Sequence, residues 1–446
     1  MRAKWARRFL TLGMALGVGC GSPPPPGPVS TGSGAFGIIT LNGKQLMYLP
    51  LLEPASNSDG QIAVVDVGQA GNGLSGAPAL VTDIDLGCPV SKIAGFCPSA
   101  DFATATSADA DVVVAASSSS HRVWFIDPSK NSVSATISLD ASLGPLAASA
   151  GNFIVTGVAL DVANHRAILS VSTGFLFVDL NSHAVTGNVA APGSENFGFD
   201  PTAELLVAPF YSCPVDGGPC DLQGPTAAGV NVVKLASGSV YAYANPAEAD
   251  AGQAPLGDFH APDSAAIDPG TELAVVPLEF GAATAFLDLS NAAYDDGSKS
   301  FTAPLTTLPT AAGEDEDGVA VEPTSHLAFF EQEFKDTMAV VDLTQLGKGS
   351  DGGFPATAQV EAQIPDTPGG APWENLGDPH GVAVTTSVQG SKPVGFVVTD
   401  PGSGSVWVAR VDLQQFVALG SQAVDAGVSS ADVSGAVTML DATTKE

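Results

Sequence analysis

The chain has 446 residues, 16 of them Lys or Arg and 47 Asp or Glu, for a formal net charge of −31. So acidic a surface repels phosphate backbones and anionic headgroups, which excludes nucleic acid as a partner and leaves the bilayer only as a site of covalent anchoring. Beyond the N-terminus no stretch approaches the roughly 20 apolar residues of a membrane helix.

The N-terminus reads as an export signal. Arg2, Lys4, Arg7 and Arg8 precede a short apolar run from Phe9 to Val18, too short to span a bilayer. Gly17-Val18-Gly19-Cys20 resembles a bacterial lipobox, which implies lipidation of Cys20 as the mature N-terminus; the alternative is an ordinary cleaved signal. Cleavage before Cys20 removes four basic residues and no acidic one, taking the net charge from −31 to −35. Residues 1–19 are therefore a lipoprotein-type signal peptide and 20–34 a Pro/Gly/Ser tether, expected to be extended with nothing to bury. Gly32, Gly34 and Gly37 match the dinucleotide-binding G-x-G-x-x-G string by chance, because a tether precedes them and a strand follows.

From residue 35 a pattern repeats. Its anchor is an apolar run closed by a polar residue: IAVVD to Asp66, VWFID to Asp127, FLFVD to Asp179, VNVVK to Lys234, TAFLD to Asp288, MAVVD to Asp342 and VWVAR to Arg410. These seven anchors lie 61, 52, 55, 54, 54 and 68 residues apart. Before each stands another strand-length apolar run, starting at Lys44, Asp111, Arg166, Glu204, Glu272, His326 and Pro393. Earlier still come GIITL at Gly37, GVALD at Gly157, NFGFD at Asn196, SAAID at Ser264, GVAVE at Gly318 and GVAVT at Gly381, with unit two degenerate. A more polar fourth strand follows the anchor, as at Ser132, Ser239 and Ala358, which suits an outer edge.

Four antiparallel strands repeated seven times cannot bury their faces singly and must pack face to face around an axis. The reading is an all-β fold, a seven-bladed β-propeller of four-stranded antiparallel blades over residues 35–420. The stretches Pro379 to Val384, Ala266 to Gly270 and Phe125 to Asp127 resemble the YVTN-type repeat propeller family. That resemblance implies the fold and says little about activity, because the architecture hosts many chemistries.

Besides Cys20, the cysteines form two local pairs, Cys88 with Cys97 and Cys213 with Cys220. Their spacings do not fit zinc ligation, and an exported domain favours oxidation, so two local disulfides are expected; pairing across the groups stays open. Both pairs would staple the face where first strands begin. In register, the residue before each first strand runs Phe36, Thr156, Glu195, Asp263, Asp317 and His380, with unit two unassigned. Nearby connections add Asp258, His260, Glu314, Asp315, Glu316, Asp378, Glu279, Glu331 and Glu333. Glu195, Asp263, Asp317 and His380 could hold calcium or another divalent cation, since packed like charges gain by sharing a metal. The recurring strand-end Asp127, Asp179, Asp288 and Asp342 read instead as turn residues accepting backbone N–H groups. His121 and His326 begin strands, while His165 and His183 occupy turns, so all four read as surface or turn residues.

After Gln415–Leu419, taken as the fourth strand of unit seven, residues 421–446 form a tail. Its run from Gly435 to Asp441 is one more strand, which could pair with unit one or replace an edge in unit seven. No G-x-S-x-G, H-E-x-x-H or C-x-x-C-H string occurs. The expected function is that of a lipid-anchored module of the bacterial cell envelope that faces the periplasm or sits on the outer membrane. It binds a protein or small-molecule ligand and touches the membrane through its N-terminal anchor alone. The rival is a metal-dependent, lactonase-like hydrolase or lyase at the channel mouth.

Overall fold

In the computed structural model the described residues are 30–31, 36–52, 61–69, 76–86, 102–107, 111–117, 122–139, 155–171, 173–192, 194, 196–212, 227–244, 262, 264–278, 283–309, 318–332, 337–349, 352–355, 358–363, 382–386, 392–399, 406–425 and 432–445. Unit one holds β1 (Ser30–Thr31), β2 (Gly37–Leu41), β3 (Lys44–Leu52), β4 (Gln61–Asp66) and β5 (Ala77–Asp85). Unit two holds β6 (Phe102–Ser107), β7 (Val112–Ser117), β8 (Arg122–Asp127) and β9 (Ser132–Ser138). Unit three is β10 (Val155–Asp161), β11 (Arg166–Val171), β12 (Gly174–Asp179) and β13 (Val185–Ala190). Unit four is β14 (Gly198–Asp200), β15 (Leu205–Ser212), β16 (Ala227–Lys234) and β17 (Ser239–Tyr243). Unit five is β18 (Ala266–Asp268), β19 (Leu273–Leu278), β20 (Ala283–Asp288), a small hairpin of β21 (Ala293–Asp295) and β22 (Ser300–Thr302), then β23 (Leu305–Pro309). Unit six is β24 (Val319–Glu322), β25 (Leu327–Gln332), β26 (Thr337–Asp342) and β27 (Gln359–Gln363). Unit seven is β28 (Val382–Thr386), β29 (Pro393–Thr399), β30 (Trp407–Asp412), the helix α1 (Leu413–Asp425) and β31 (Val437–Lys445).

Successive strands of a unit pair antiparallel, so the molecule is mostly β. The sequence explains which strand lies where. Second and third strands are covered on both faces and are therefore continuously apolar: Val112 to Ala116 and Val123 to Ile126 are all buried. Fourth strands are covered on one face, and along β9 exposed Ser and Thr alternate with half-buried Val, Ala and Ile. The apolar faces of neighbouring units meet. Trp124 and Ile126 of unit two pack with Tyr48 and Ile62 of unit one, and Phe330 and Val341 of unit six pack with Val275 and Phe286 of unit five. Phe396 and Val408 of unit seven pack with Met47 and Val65 of unit one. First strands lie against one another in the spatial order β10, β6, β2, β28, β24, β18, β14.

Several expectations need correction. Unit two has a first strand after all: β6, reading FATATS, pairs with β7 along its whole length. Its Thr and Ala hide it from a search for apolar runs. The anchor of unit seven is Asp412 rather than Arg410, because Val394 faces Asp412 as Leu327 faces Asp342. Residues Gln415–Leu419 are helical, within α1, whose Leu413 and Phe416 are buried against unit six. The fourth strand of unit seven is β31, beyond the expected boundary at 420, and both alternatives for it hold at once. It pairs antiparallel with β30 and parallel with β5 of unit one. Finally, Ser30–Thr31 of the tether pair with Leu52 and Leu51 of β3.

Candidate functional site

First strands have two ends, and they differ. At the end leading into the second strand the connections are short, four residues in units two to six, as from Asp161 to Arg166 or Asp200 to Leu205. Four consecutive units place a buried acid there. Asp161 accepts from the Asn164 N–H at 3.2 Å and from Arg166 Nε at 2.8 Å. Asp200 accepts from the Thr202 and Ala203 N–H groups at 2.8 and 3.2 Å. Asp268 accepts from the Gly270 N–H at 3.1 Å and the Thr271 hydroxyl at 2.6 Å, and Glu322 from the Ser325 N–H and hydroxyl, both at 2.7 Å. Such carboxylates hold turns, since their lone pairs are filled by the chain that follows.

The fourth residue of each of these turns takes the left-handed conformation: His165, Glu204, Glu272 and His326 have φ of 51°, 50°, 54° and 58°. Two of them reach across to the neighbouring unit. His326 of unit six sets Nδ1 2.8 Å from Asp268 of unit five, and Glu204 of unit four accepts from Asn164 of unit three at 3.0 Å. His326, expected in a surface or turn role, sits in the turn and makes an inter-unit contact besides. The signal was present in the sequence as an acid five residues before each second strand, but only the pairing partner gives it meaning.

The strand-end aspartates behave as expected. Asp127 accepts from the Ser129 N–H at 2.9 Å, Asp179 from the Ser182 N–H at 2.6 Å, Asp288 from the Ser290 N–H at 3.0 Å and Asp342 from the Thr344 N–H at 3.0 Å. The Lys130 ammonium and Ser129 groups hold the Asp127 carboxyl down at about 2. Burial, joined by the Asp127 charge, pushes the Tyr48 phenol upward, and its hydroxyl donates to Asn131 at 2.8 Å. Unit four breaks the series with Lys234, whose ammonium lies 3.4 Å from the centre of the Tyr294 ring on the unit-five hairpin. That hairpin adds β22 parallel to β17, so it covers the outer edge of unit four.

The sequence assigns its candidate residues to the other end. Glu195, Asp263, Asp317 and His380 lie outside the described residues, as do Cys20, Cys88, Cys97, Cys213 and Cys220. Asp258, His260, Glu279, Glu314, Asp315, Glu316, Glu333 and Asp378 lie outside as well, and so does the Glu331 side chain. Ser194 is buried; its carbonyl accepts from Ser170 Oγ at 2.6 Å, and its own hydroxyl donates to the Asn196 carbonyl at 2.8 Å. Ser264, beside Asp263, is 1% exposed, and its hydroxyl has no hydrogen-bond partner among the described residues. Among the described residues no group of three or more His, Cys, Asp or Glu could hold a metal.

The connections entering this end are long. They run to 16 residues between β5 and β6, 16 between β9 and β10, 22 between β17 and β18, and 18 between β27 and β28, although only 7 separate β13 from β14. Crossing from an outer to an inner strand spans three inter-strand spacings, about 14 Å, which roughly five residues cover. Chain geometry does not demand the remainder.

No family model matches the chain, and no curated protein matches it. Among solved structures, hydrazine synthase of Kuenenia stuttgartiensis is similar at 13% identity and a TM-score of 0.47, covering 89% of this chain and 100% of its own. The Cps50 (Swd1) β-propeller domain of Myceliophteria thermophila is similar at 10% identity and a TM-score of 0.49, with 85% and 98% covered. KlHsv2 with its loop 6CD replaced by a Gly-Ser linker is similar at 9% identity and a TM-score of 0.46, with 86% and 93% covered.

Proposed function

We propose that the chain is an exported, lipid-anchored seven-bladed β-propeller of the YVTN type that binds a protein or small-molecule ligand at the bacterial cell envelope. Its ligand face is the end where first strands begin. Support for the ring comes from the apolar clusters, each shared by successive units, the last with the first. The observation that carries the binding face is the length of the connections there, 16 to 22 residues in four cases where about five would serve. Three of the connections on that face, 244–265, 310–318 and 364–381, hold eleven Asp or Glu and no Lys or Arg. A ligand with cationic groups therefore suits it better than an anionic one.

The test is affinity capture with the mature chain, compared with two variants. Replacing Glu314, Asp315, Glu316 and Asp317 by Asn or Gln should weaken capture of a defined partner, while Ser129→Arg and Asn181→Arg at the opposite end should leave it intact. Loss through the opposite end alone overturns the assignment of the face. Cys20→Ser should move the protein from the membrane to the soluble fraction; retention in the membrane sinks the lipid anchor.

A second reading is a metal-assisted, lactonase-like hydrolase or lyase on Glu195, Asp263, Asp317 and His380. Equal spacing favours it: each lies five residues before Asp200, Asp268, Glu322 and Thr385, which face the corresponding residues of the second strands. The buried Ser264 hydroxyl beside Asp263 is a further polar group at that level. A divalent cation there would polarise a carbonyl or activate water. About one metal per chain by elemental analysis, lost in His380→Ala, is the result this reading requires. No metal, and no melting shift with calcium, magnesium or zinc, removes it.

A further inference from the structure

The path by which the chain enters the fold carries an inference about orientation. Leu51 of β3 pairs with Gln61 of β4 and also with Thr31 of β1, so β1 must lie on the side of β3 opposite β4, in line with β2. Ser30 faces Leu52, at the end of β3 remote from its turn with β2. Ser30, where the described chain enters the fold, therefore lies on the inner side of unit one, at the end where first strands begin. It lies beside the neighbouring first strands, since β2 lies against β6 and β28. The point of departure is thus near the middle of the long-connection face and far from its rim.

Cys20 lies ten residues before Ser30, and at the roughly 3.1 Å per residue of a Pro-rich chain ten residues span about 31 Å. The interval includes four consecutive prolines, Pro23 to Pro26, followed by Pro28, which favour extension and resist a path folded back around the disc. To turn the opposite face to the bilayer, the same ten residues would have to run from near the axis to the rim and then down the depth of the sheets. A six- or seven-residue strand alone accounts for about 20 Å of that path, and the four-strand width of a unit for about 14 Å more.

We propose that the long-connection face is turned toward the bilayer and is held within a few nanometres of it, so that its ligand is met in the gap between disc and membrane. The inference rests on the lipid-anchor reading above and sharpens it. The binding face of an anchored propeller could point anywhere; here the entry through β1 fixes it. A partner rising from the same membrane reaches this face directly, whereas one free in the compartment must enter the gap from the side.

The test uses the full chain, expressed with its signal and reconstituted in vesicles of zwitterionic lipid doped with a headgroup-linked energy acceptor. Two single substitutions in unit three carry the donor dye: Ala190→Cys, exposed at the long-connection end of β13, and Ala163→Cys, exposed in the turn after β10. Chain with neither substitution, labelled in parallel, gives the background from the remaining cysteines. Energy transfer from position 190 should exceed that from position 163 by roughly twofold or more, given about 20 Å of sheet between the two ends. Equal transfer, or stronger transfer from position 163, overturns the orientation while leaving the anchor in place. Flotation of the same vesicles separates the two failures: a chain that does not float with lipid overturns the anchor reading and the orientation with it.

Discussion

The two ends of the first strands are built from the same repeats yet follow different rules. At one end, Asp161, Asp200, Asp268 and Glu322 close turns of identical length through hydrogen bonds to the following N–H groups. At the other, connections range from 7 to 22 residues. A turn between adjacent antiparallel strands has to satisfy its own backbone within four residues, which leaves few solutions. A crossover to the next unit has only a minimum length, so it is free to grow where growth serves a ligand. Regularity therefore marks the structural end and irregularity the candidate functional one.

Removing β31 tests how far the units depend on this division. Truncation after Asp432 takes away an outer strand that pairs with units seven and one together, along with the buried Val437, Met439, Leu440 and Ala442. At about 1.5–3 kcal/mol for each large buried apolar side chain, the loss should exceed about 5 kcal/mol and appear as a collapsed urea midpoint. A truncated chain melting like the parent would show that the units cohere without this strand.

Within the turn end, Asp161→Ala should cost about 3 kcal/mol in urea denaturation, because it strips a fully buried carboxylate from Arg166, itself only 19% exposed. Glu314→Gln in the connection 310–318 should stay within about 0.5 kcal/mol. Similar costs for the two would erase the contrast between the ends.

Acid should act on the turns as well. Asp127 titrates at about 2 in the folded chain, below an ordinary carboxylate, chiefly through its bonds from Lys130 and Ser129. Asp179 is lowered chiefly by the Ser182 N–H; at Asp288 burial acts upward, and the bonds from Ser290 and Asn291 outweigh it. Because the folded form holds these protons less tightly than the unfolded one, the stabilisation is complete above the ordinary carboxylate pKa of about 4. It drains away as pH falls toward 2. Melting temperatures between pH 5 and pH 2.5 should fall, and Asp127→Asn should flatten part of that slope; an unchanged slope would remove Asp127 from the account.

The smallest effect concerns the left-handed positions. Glu272 is exposed at φ 54°, so Glu272→Gly should stabilise by up to about 1 kcal/mol. His326→Gly relieves the same backbone but gives up the contact with Asp268, and should destabilise instead. Matching signs for the two would mean that the inter-unit contact contributes nothing.

Much of this was legible in the sequence because burial on two faces forces unbroken apolar runs. Val112 to Ala116 and Phe175 to Val178 declare themselves for that reason. The strand FATATS of β6 did not, because Thr and Ala meet the needs of an inner strand without leaving an apolar signature. Asp412 was missed because VWVAR looks complete two residues too early, and the helix after it was missed because an amphipathic segment as short as Leu413 to Leu419 can pass for a strand. Of the candidate site, its equal spacing along the units was readable. Its chemistry was not, since ligation depends on how loops of unequal length converge.

Taken alone, the sequence determined the repeat, the order of strands within each unit and the turn role of the strand-end aspartates. All of these follow from local periodicity and from hydrogen bonds made within a few residues. Tertiary structure decided what joins distant parts of the chain: β31 against β5, the unit-five hairpin on the edge of unit four, His326 on Asp268, and β1 beside β3. Such pairings need an edge, a charge or a backbone group supplied from tens to hundreds of residues away. No local pattern encodes where that partner will stand.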